Sequence, residues 1–391
     1  MRVRVLRGEE KKYFYSTRAV DVQTRDGTLH TPLRALSQSE LDAKARVPLT
    51  VPMHAPVSGT FKRMSSNDVS RLFLDNDFVE NQIQSLENRR QRMQHSSLLF
   101  ALFQPSPSAI ADHLAQDKDK DKFLRMTLRL QQEAGMNLIT VPWVGYSASR
   151  AIEEFKTLES ETEVEPIFFL DQSMTPDEIK EVSPYLKDLV SSDRVHFIGL
   201  LHRPVRKTLA SCEALWSSFK DTNAAIISAG IERFDENLDD LSGIHLKEFI
   251  VGDILLADVR RIFVGEDTEK VPKKPPEFRI PNIERTLRIF DKSTLTISTI
   301  QSRHSDDWID DVVNELGEPQ LKHILRSRRE AETDKDKYDV LTGISKTHEY
   351  LSSQHEVQVS REFISKGETE EYLGGKTVLN SGLQRVNRGL S

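Results

Sequence analysis

The chain is poor in cysteine, in uninterrupted apolar runs and in glycine-rich phosphate loops, and each shortage removes a class of protein. Its one cysteine, Cys212, excludes an intramolecular disulfide and every thiolate-rich zinc or iron–sulfur site. No apolar stretch approaches the roughly 20 residues that cross a bilayer, so no membrane partner is expected. The amino-terminal MRVRVLRGEEKKYFY carries charge but no apolar core, which argues against a secretory signal and for a reducing, cytoplasmic setting. There is no G-x-x-x-x-G-K-[ST] loop, no G-x-S-x-G elbow, no H-E-x-x-H pair and no G-x-G-x-x-G turn. P-loop nucleotide hydrolases and elbow-type serine hydrolases therefore drop out. No cofactor and no metal is expected. A net charge of −7 excludes a uniformly cationic nucleic-acid binder but leaves room for a local basic face.

What the chain has is a beat. Apolar runs open at Asn137 (NLITVPWV), Pro166 (PIFFLDQ), Val195 (VHFIGLLHRP) and Ala224 (AAIISAG), each 29 residues after the last. Each interval holds one helical pattern, such as AIEEFKTLES or DEIKEVSPYLKDLV. Strand, helix and strand at this pitch predict a parallel β/α array. The 391 residues allow one large barrel with appendages, or two to three domains.

Around the array, residues 1–60 read as β-rich, with a turn at Arg25-Asp26-Gly27. Residues 65–94 read as helical, capped by Ser65 or Ser66. SSLLFALFQP reads as a buried strand ending at Gln104. The run DKDKDK (117–122) reads as a loop or helix start, and FLRMTLRLQQEAG as an amphipathic helix stopped by Gly135. Five or six strands are then in hand. An eight-stranded barrel needs two or three more, for which PLTVP and TLTISTI are the candidates. A TIM-like (β/α)8 barrel over 1–262 is preferred to an open sheet, because its strand ends offer side chains rather than a glycine-rich turn. A Pro-rich connector (263–284) and a mostly helical extension (285–391) follow, with residues 334–391 polar, only briefly helical, and expected to be partly disordered or to wrap the barrel.

Parallel arrays place chemistry at the carboxyl ends of their strands. Those ends carry Gln104, Trp143, Tyr146, Asp171, Gln172, His202, Arg203, Ser228, Glu232 and Asp253. Asp171 follows IFFL directly, at the rim of a dry core, where a carboxylate can serve as nucleophile or base. Its alternative role is as a helix cap, for which Thr175 is better placed. Glu232 or Asp253 is the candidate second carboxylate, each with a loop role as its alternative. His202 and Arg203 suit a phosphate or carbonyl contact, or a structural latch. Trp143 and Tyr146 suit stacking on a planar ring, or core packing. Gln104, Gln172 and Ser228 complete the substrate-facing set. The acidic helix SDDWIDDV (Asp306, Asp307, Asp310, Asp311) reads as dipole complementation rather than a cation site.

Two amino-terminal phrases carry a resemblance. Gly27, Thr31 and Pro32, then Pro56, Val57, Gly59, Thr60 and Lys62, with a helix start at Ser65–Val69, resemble the entry to the tRNA-guanine transglycosylase barrels. The later GIHLKEFIVGDIL is similar to a phrase near the end of those barrels. The resemblance covers about a quarter of the chain. It implies a (β/α)8 barrel that exchanges a guanine for a deazaguanine in nucleic acid, one aspartate attacking the sugar and a second handling the proton. The family's tRNA-acting members usually hold zinc with three cysteines and a histidine. This chain has Cys212 alone, which turns the expectation toward DNA or another diverged substrate.

The leading expectation is thus a pentosyl-transferring base-exchange enzyme with a nucleic-acid partner. The alternative is a non-catalytic barrel, a scaffold or subunit for a protein or nucleic-acid partner, in which the strand-end carboxylates are paired and no pocket opens. An aldolase is disfavoured because no strand ends in a suitable lysine. The oligomeric state stays open, a homodimer among the options.

Overall fold

The computed structural model describes residues 1–8, 18–45, 47–171, 174–201, 209–231, 254–257, 288–292, 296–299, 307–324 and 334–376. Strand β1 (Arg2–Gly8) pairs antiparallel with β2 (Arg18–Thr24), which turns at Arg25-Asp26 into β3 (Gly27–His30). Gly27 has φ 141°, a backbone state that favours glycine and explains the Asp-Gly turn.

The parallel part begins with two short strands broken at Ala35, β4 (Leu33–Arg34) and β5 (Leu36–Ser37), followed by helix α1 (Gln38–Lys44). Then come β6 (Val57–Met64), α2 (Ser66–Leu74), α3 (Asn76–Arg92), β7 (Leu98–Pro105), α4 (Pro107–His113) and α5 (Asp117–Glu133). The predicted beat follows as β8 (Ile139–Val141), α6 (Ala148–Glu161), β9 (Pro166–Asp171), α7 (Pro176–Ser191), β10 (Phe197–Leu201), α8 (Leu209–Phe219), β11 (Ala225–Ile231) and β12 (Ile254–Ala257). One parallel sheet runs β4-β12-β11-β10-β9-β8 and another runs β5-β6-β7.

These strands read as continuous apolar runs because both faces are buried. Alternate residues divide between two cores. Leu98, Phe100, Leu102, Ile167, Phe169, Phe197, Ile227 and Ala229 pack together on one face. On the other, Leu99, Phe103, Phe168, Leu170, Ile198 and Ile226 meet helical residues such as Phe123, Leu186 and Leu215. Gly199 belongs to the first face, where a Cβ would come within 2.4 Å of the Phe169 ring, so the strand needs glycine there for space. The helices start as their sequences foretell. Ser65 and Thr175 close capping boxes with Asp68 and Glu178, and Gly135 (φ 68°) stops α5. The charge run 117–122 is the amino end of α5.

The two sheets meet where β8 lies beside β7. There the amide of Leu138 donates to the Leu99 carbonyl at 3.1 Å, and the Thr140 hydroxyl to the Ala101 carbonyl at 2.7 Å. At the other edge, β12 pairs in parallel with β4, one residue from β5.

The two candidates for added strands take other roles. PLTVP (48–52) is a loop: Pro48 and Pro52 have no N–H for a ladder, and the donors of Thr50 and Val51 go instead to Glu318, at 2.6 to 2.7 Å. TLTISTI contributes β14 (Thr296–Thr299), which pairs antiparallel with β13 (Arg288–Asp291) in a separate two-stranded ribbon. The extra parallel strands come from LRALS (33–37) and VSGTFKRM (57–64).

Residues 334–376 also differ from the expectation of a polar, briefly helical stretch, and 377–391 lie outside the described residues. After α9 (Asp307–Leu316), a single 33-residue helix, α10 (Asp334–Lys366), precedes α11 (Thr369–Gly374). Its buried positions are mixed, with Thr347, Ser352, Ser353 and Ser360 interior alongside Val340, Ile344, Tyr350, Val357 and Ile364. Several of these hydroxyls donate to carbonyls of their own helix, Thr347 to Gly343 at 2.8 Å and Ser353 to Glu349 at 2.6 Å. Burial therefore costs little, and no apolar stripe marks the helix. Among the described residues, no helix is long and apolar enough to cross a membrane.

Candidate active site

All the strands of the two parallel sheets run the same way, so their carboxyl ends gather on one side. Asp171 is the last residue of β9 and is 2% exposed. It alternates with Ile167 and Phe169 and so shares their face rather than the helix-packed one. Its register partner on β10 is Leu201. The cap of α7 is Thr175, whose hydroxyl accepts from the Glu178 amide at 3.2 Å while Glu178 accepts back at 2.7 and 2.9 Å. The backbone carbonyl of Asp171 accepts from the Met174 amide at 2.9 Å, turning the chain into that cap. The amino end of α7 is thus capped by Thr175 and not by Asp171.

Gln104, next to last on β7, is also 2% exposed and alternates with Phe100 and Leu102 on the same face. Its side-chain nitrogen donates to the Trp143 carbonyl at 2.9 Å and the Pro105 carbonyl at 3.4 Å. Only an NH2 can face two carbonyls, so the amide orientation is fixed. The side-chain oxygen is buried and has no hydrogen-bond partner among the described residues.

The other described members of the set lie elsewhere. Trp143 and Tyr146 pack into the helix-side core. The Tyr146 hydroxyl donates to Asp121 at 2.5 Å, and Arg150 donates to the same carboxylate at 2.8 Å. Burial, then the Asp121 hydrogen bond and charge, push the Tyr146 hydroxyl far above its ordinary range. Arg125 and Arg150 hold Glu154 at 2.9 and 3.2 Å, and burial raises its carboxyl despite them. Lys120 reaches the Gly145 carbonyl at 2.9 Å. This network joins α5 to α6 and pins the loop after β8. Ser228, fully buried, sits between Ile227 and Ala229 on β11 and therefore faces away from the Asp171 side. The structure thus brings Asp171 and Gln104 onto one face, and places Trp143, Tyr146 and Ser228 on the other. Gln172, His202, Arg203, Glu232 and Asp253 lie outside the described residues.

The opposite, amino-terminal end of the strands holds two features with little sequence signal. A cleft of about 940 Å³ opens between the β2–β3 hairpin and the starts of β7, β8 and β9, lined by Arg2, Arg25, Asn137, Glu163 and Glu165 among others. Beside it, His196 contacts Glu165 at 2.9 Å through one ring nitrogen and Asp193 at 3.1 Å through the other. The Glu165 hydrogen bond raises the His196 pKa above its ordinary value, against the lowering effect of burial. The one hint was a histidine heading the apolar run HFIGLL. Among the described residues, no group of three or more histidine, cysteine, aspartate or glutamate side chains is arranged to hold a metal ion.

No known protein family matches the chain, and no characterised protein matches it in sequence. Among solved structures, it is similar to the enoyl reductase domain of MlnA from the macrolactin biosynthesis cluster of Bacillus amyloliquefaciens, with 9% identity, coverage of 92% of this chain and 100% of that one, and a TM-score of 0.29. So loose a likeness carries no argument.

Proposed function

We propose that this chain is a base-exchange glycosyl-transfer enzyme acting on nucleic acid, with DNA favoured over tRNA, and that Asp171 acts at the mouth of a closed (β/α)8 barrel. Support for the barrel lies in the pairings. Counting 33–37 as one segment, eight parallel segments succeed one another, with β12 returning to β4 and the β7–β8 seam bridged by hydrogen bonds. The observation that carries the function is the placement of Asp171, buried at the carboxyl end of β9 on the face opposite the helices, with its neighbouring helix capped by another residue.

In this reading a carboxylate oxygen of Asp171 bonds to the sugar C1′ as the bond from C1′ to the base nitrogen breaks. The departing base takes a proton from a second acid, for which Asp253 and Glu232 are the candidates. The incoming base then gives up its proton to that group, attacks C1′ and releases Asp171. A charged carboxylate suits the cationic sugar of the transition state, and a protonated one suits the leaving base. The setting is cytoplasmic.

The alternative is a non-catalytic barrel subunit; it expects no pocket beside the strand-end carboxylates, and the cleft lies instead at the amino ends of the strands, where it offers a surface for a partner. Residues 202–208 and 232–253, which follow β10 and β11 in sequence, lie outside the described residues, so the position of that cleft does not weigh against a site at the other end. Incubation with labelled guanine or 7-deazaguanine, in the presence of DNA or tRNA, tests the enzyme. Label entering one of them with the wild-type chain and not with Asp171→Asn is expected. No incorporation by the wild-type chain into either nucleic acid removes the proposal.

A further inference from the structure

Charge is scarce in the parallel strands, and its placement is selective. Among the described residues, the strands of the two parallel sheets hold four charged side chains: Arg34, Lys62, Arg63 and Asp171. Arg34 lies between Leu33 and Ala35, on the face opposite theirs, and is paired with Glu40. Lys62 is on the helix side, where its ammonium donates to Gln82 of α3 at 2.8 Å and lies 5.2 Å from the centre of the Phe78 ring. Arg63 and Asp171 remain for the face away from the helices. Arg63 alternates with Val57 and Phe61 of that core and stands in register with Gln104, one position from the carboxyl end of β6. It is half-buried. One cation and one carboxylate thus share a face at the carboxyl ends of β6 and β9.

We propose that Arg63 is a positioning residue for the nucleic-acid backbone: its guanidinium donates to a phosphate beside the target nucleotide and so holds that sugar against Asp171. The proposal rests on the base-exchange reading above for its substrate class and adds the group that seats the strand. Each nucleotide within a strand carries an anion on either side of its sugar. A guanidinium meets a phosphate through two parallel N–H groups, and a partly desolvated setting strengthens the attraction. Arg63 has an interaction within the protein, and its five donors leave others for a ligand. It takes no part in bond making. A residue that merely held the fold or Asp171 would affect ligands with and without phosphate alike.

The test is equilibrium binding of 2′-deoxyguanosine and of its 5′- and 3′-monophosphates to the full chain. Wild-type protein is expected to hold at least one monophosphate about 10- to 100-fold more tightly than the nucleoside, as a charge-assisted contact does. Arg63→Gln is expected to bring that ratio near unity while leaving nucleoside affinity unchanged. Arg63→Lys, which keeps the charge but not the fork, is expected to retain part of the ratio. Arg63→Met serves if the glutamine variant does not fold, and the wild-type comparison depends on none of them. Equal binding of nucleoside and both monophosphates by the wild-type chain overturns the proposal. So does a phosphate preference that survives in Arg63→Gln, or a wild-type chain that binds none of the three. A phosphate preference lost with Arg63, without incorporation of label, would leave this proposal standing and overturn base exchange. Incorporation of label without a phosphate preference would do the reverse, so the two failures are distinguishable.

Discussion

The side-chain amide of Gln131 pairs with the backbone of Thr140 in both directions. Its oxygen accepts from the Thr140 amide at 2.7 Å, and its nitrogen donates to the Thr140 carbonyl at 3.0 Å. In a parallel ladder these two groups point to one neighbour, and the flanking Ile139 donates to Glu165 at the β9 side. The helix α5 therefore supplies, through one glutamine, the pairing that β7 would give. Asn137 does the same one step earlier, accepting from Leu99 at 2.6 Å and donating to Ser97 at 2.7 Å.

Replacing Gln131 by leucine keeps the volume and strands both backbone groups of Thr140 in a buried site. Each unpaired group costs about 1–3 kcal/mol, so a loss of about 2–5 kcal/mol is expected in urea unfolding. Asn137 is exposed and water can replace it, so Asn137→Ala should cost clearly less. Equal losses from the two variants would refute the substitution of side chain for strand.

What could be read in advance follows the same physics. The beat from Asn137 to Ala224 was legible because strands buried on both faces are apolar throughout and cannot be mistaken for surface. The caps at Ser65 and Thr175 were legible because capping is local chemistry. The first parallel segment, LRALS, was not: its Arg34 is polar in sequence and buried in the structure. Helix α10 was missed because serines and threonines that bond to their own helix can be buried without forming an apolar stripe. At the site, a rule about strand ends pointed to Asp171 and Gln104 but could not tell which face a residue beyond the strand would take, and so it also collected Trp143 and Tyr146.

Arg34 and Glu40 form an ion pair at 2.5 Å, their side chains 3% and 1% exposed. Arg34 also donates to the Glu349 carbonyl at 3.1 Å and to the Ser353 hydroxyl, and lies 5.3 Å from the centre of the Tyr350 ring. The first parallel strand thereby grips α10. Arg34→Met leaves the Glu40 carboxylate buried without its cation and should cost about 3–5 kcal/mol. Adding Glu40→Leu removes the stranded charge and should return much of that loss. Denaturation of the two singles and the double checks this, and additive losses would count against a coupled pair.

His196 gives stability a pH dependence of definite sign. Its folded pKa is raised, chiefly by the Glu165 hydrogen bond, while the unfolded chain titrates near about 6.5. The folded state thus holds the proton more tightly. The stabilisation is complete below about pH 6.5 and is lost as the pH rises through the folded value. Relative to His196→Gln, the wild-type chain should show its largest lead in urea midpoint near pH 6 and a smaller one near pH 9. A lead that grows with pH would reverse the assignment.

Two glycines in the carboxyl-terminal helices should respond oppositely to alanine. At Gly343 in α10, a Cβ would lie 2.4 Å from Cγ1 of Val47 and 2.7 Å from the carbonyl oxygen of Ala43, so a backbone atom stands in the way. The helices α1 and α10 approach too closely there for any side chain. Gly343→Ala should force them apart and cost about 1–3 kcal/mol, as overpacking does. At Gly374, the last residue of α11, nothing lies within 4 Å of the added carbon. Gly374→Ala removes backbone freedom from the unfolded chain and should stabilise by about 0.4–1 kcal/mol. Both variants are read in one urea series on the full chain. If Gly343→Ala proves as stable as Gly374→Ala, the close crossing of α1 and α10 is wrong, and with it the register that brings Ser353 to Arg34.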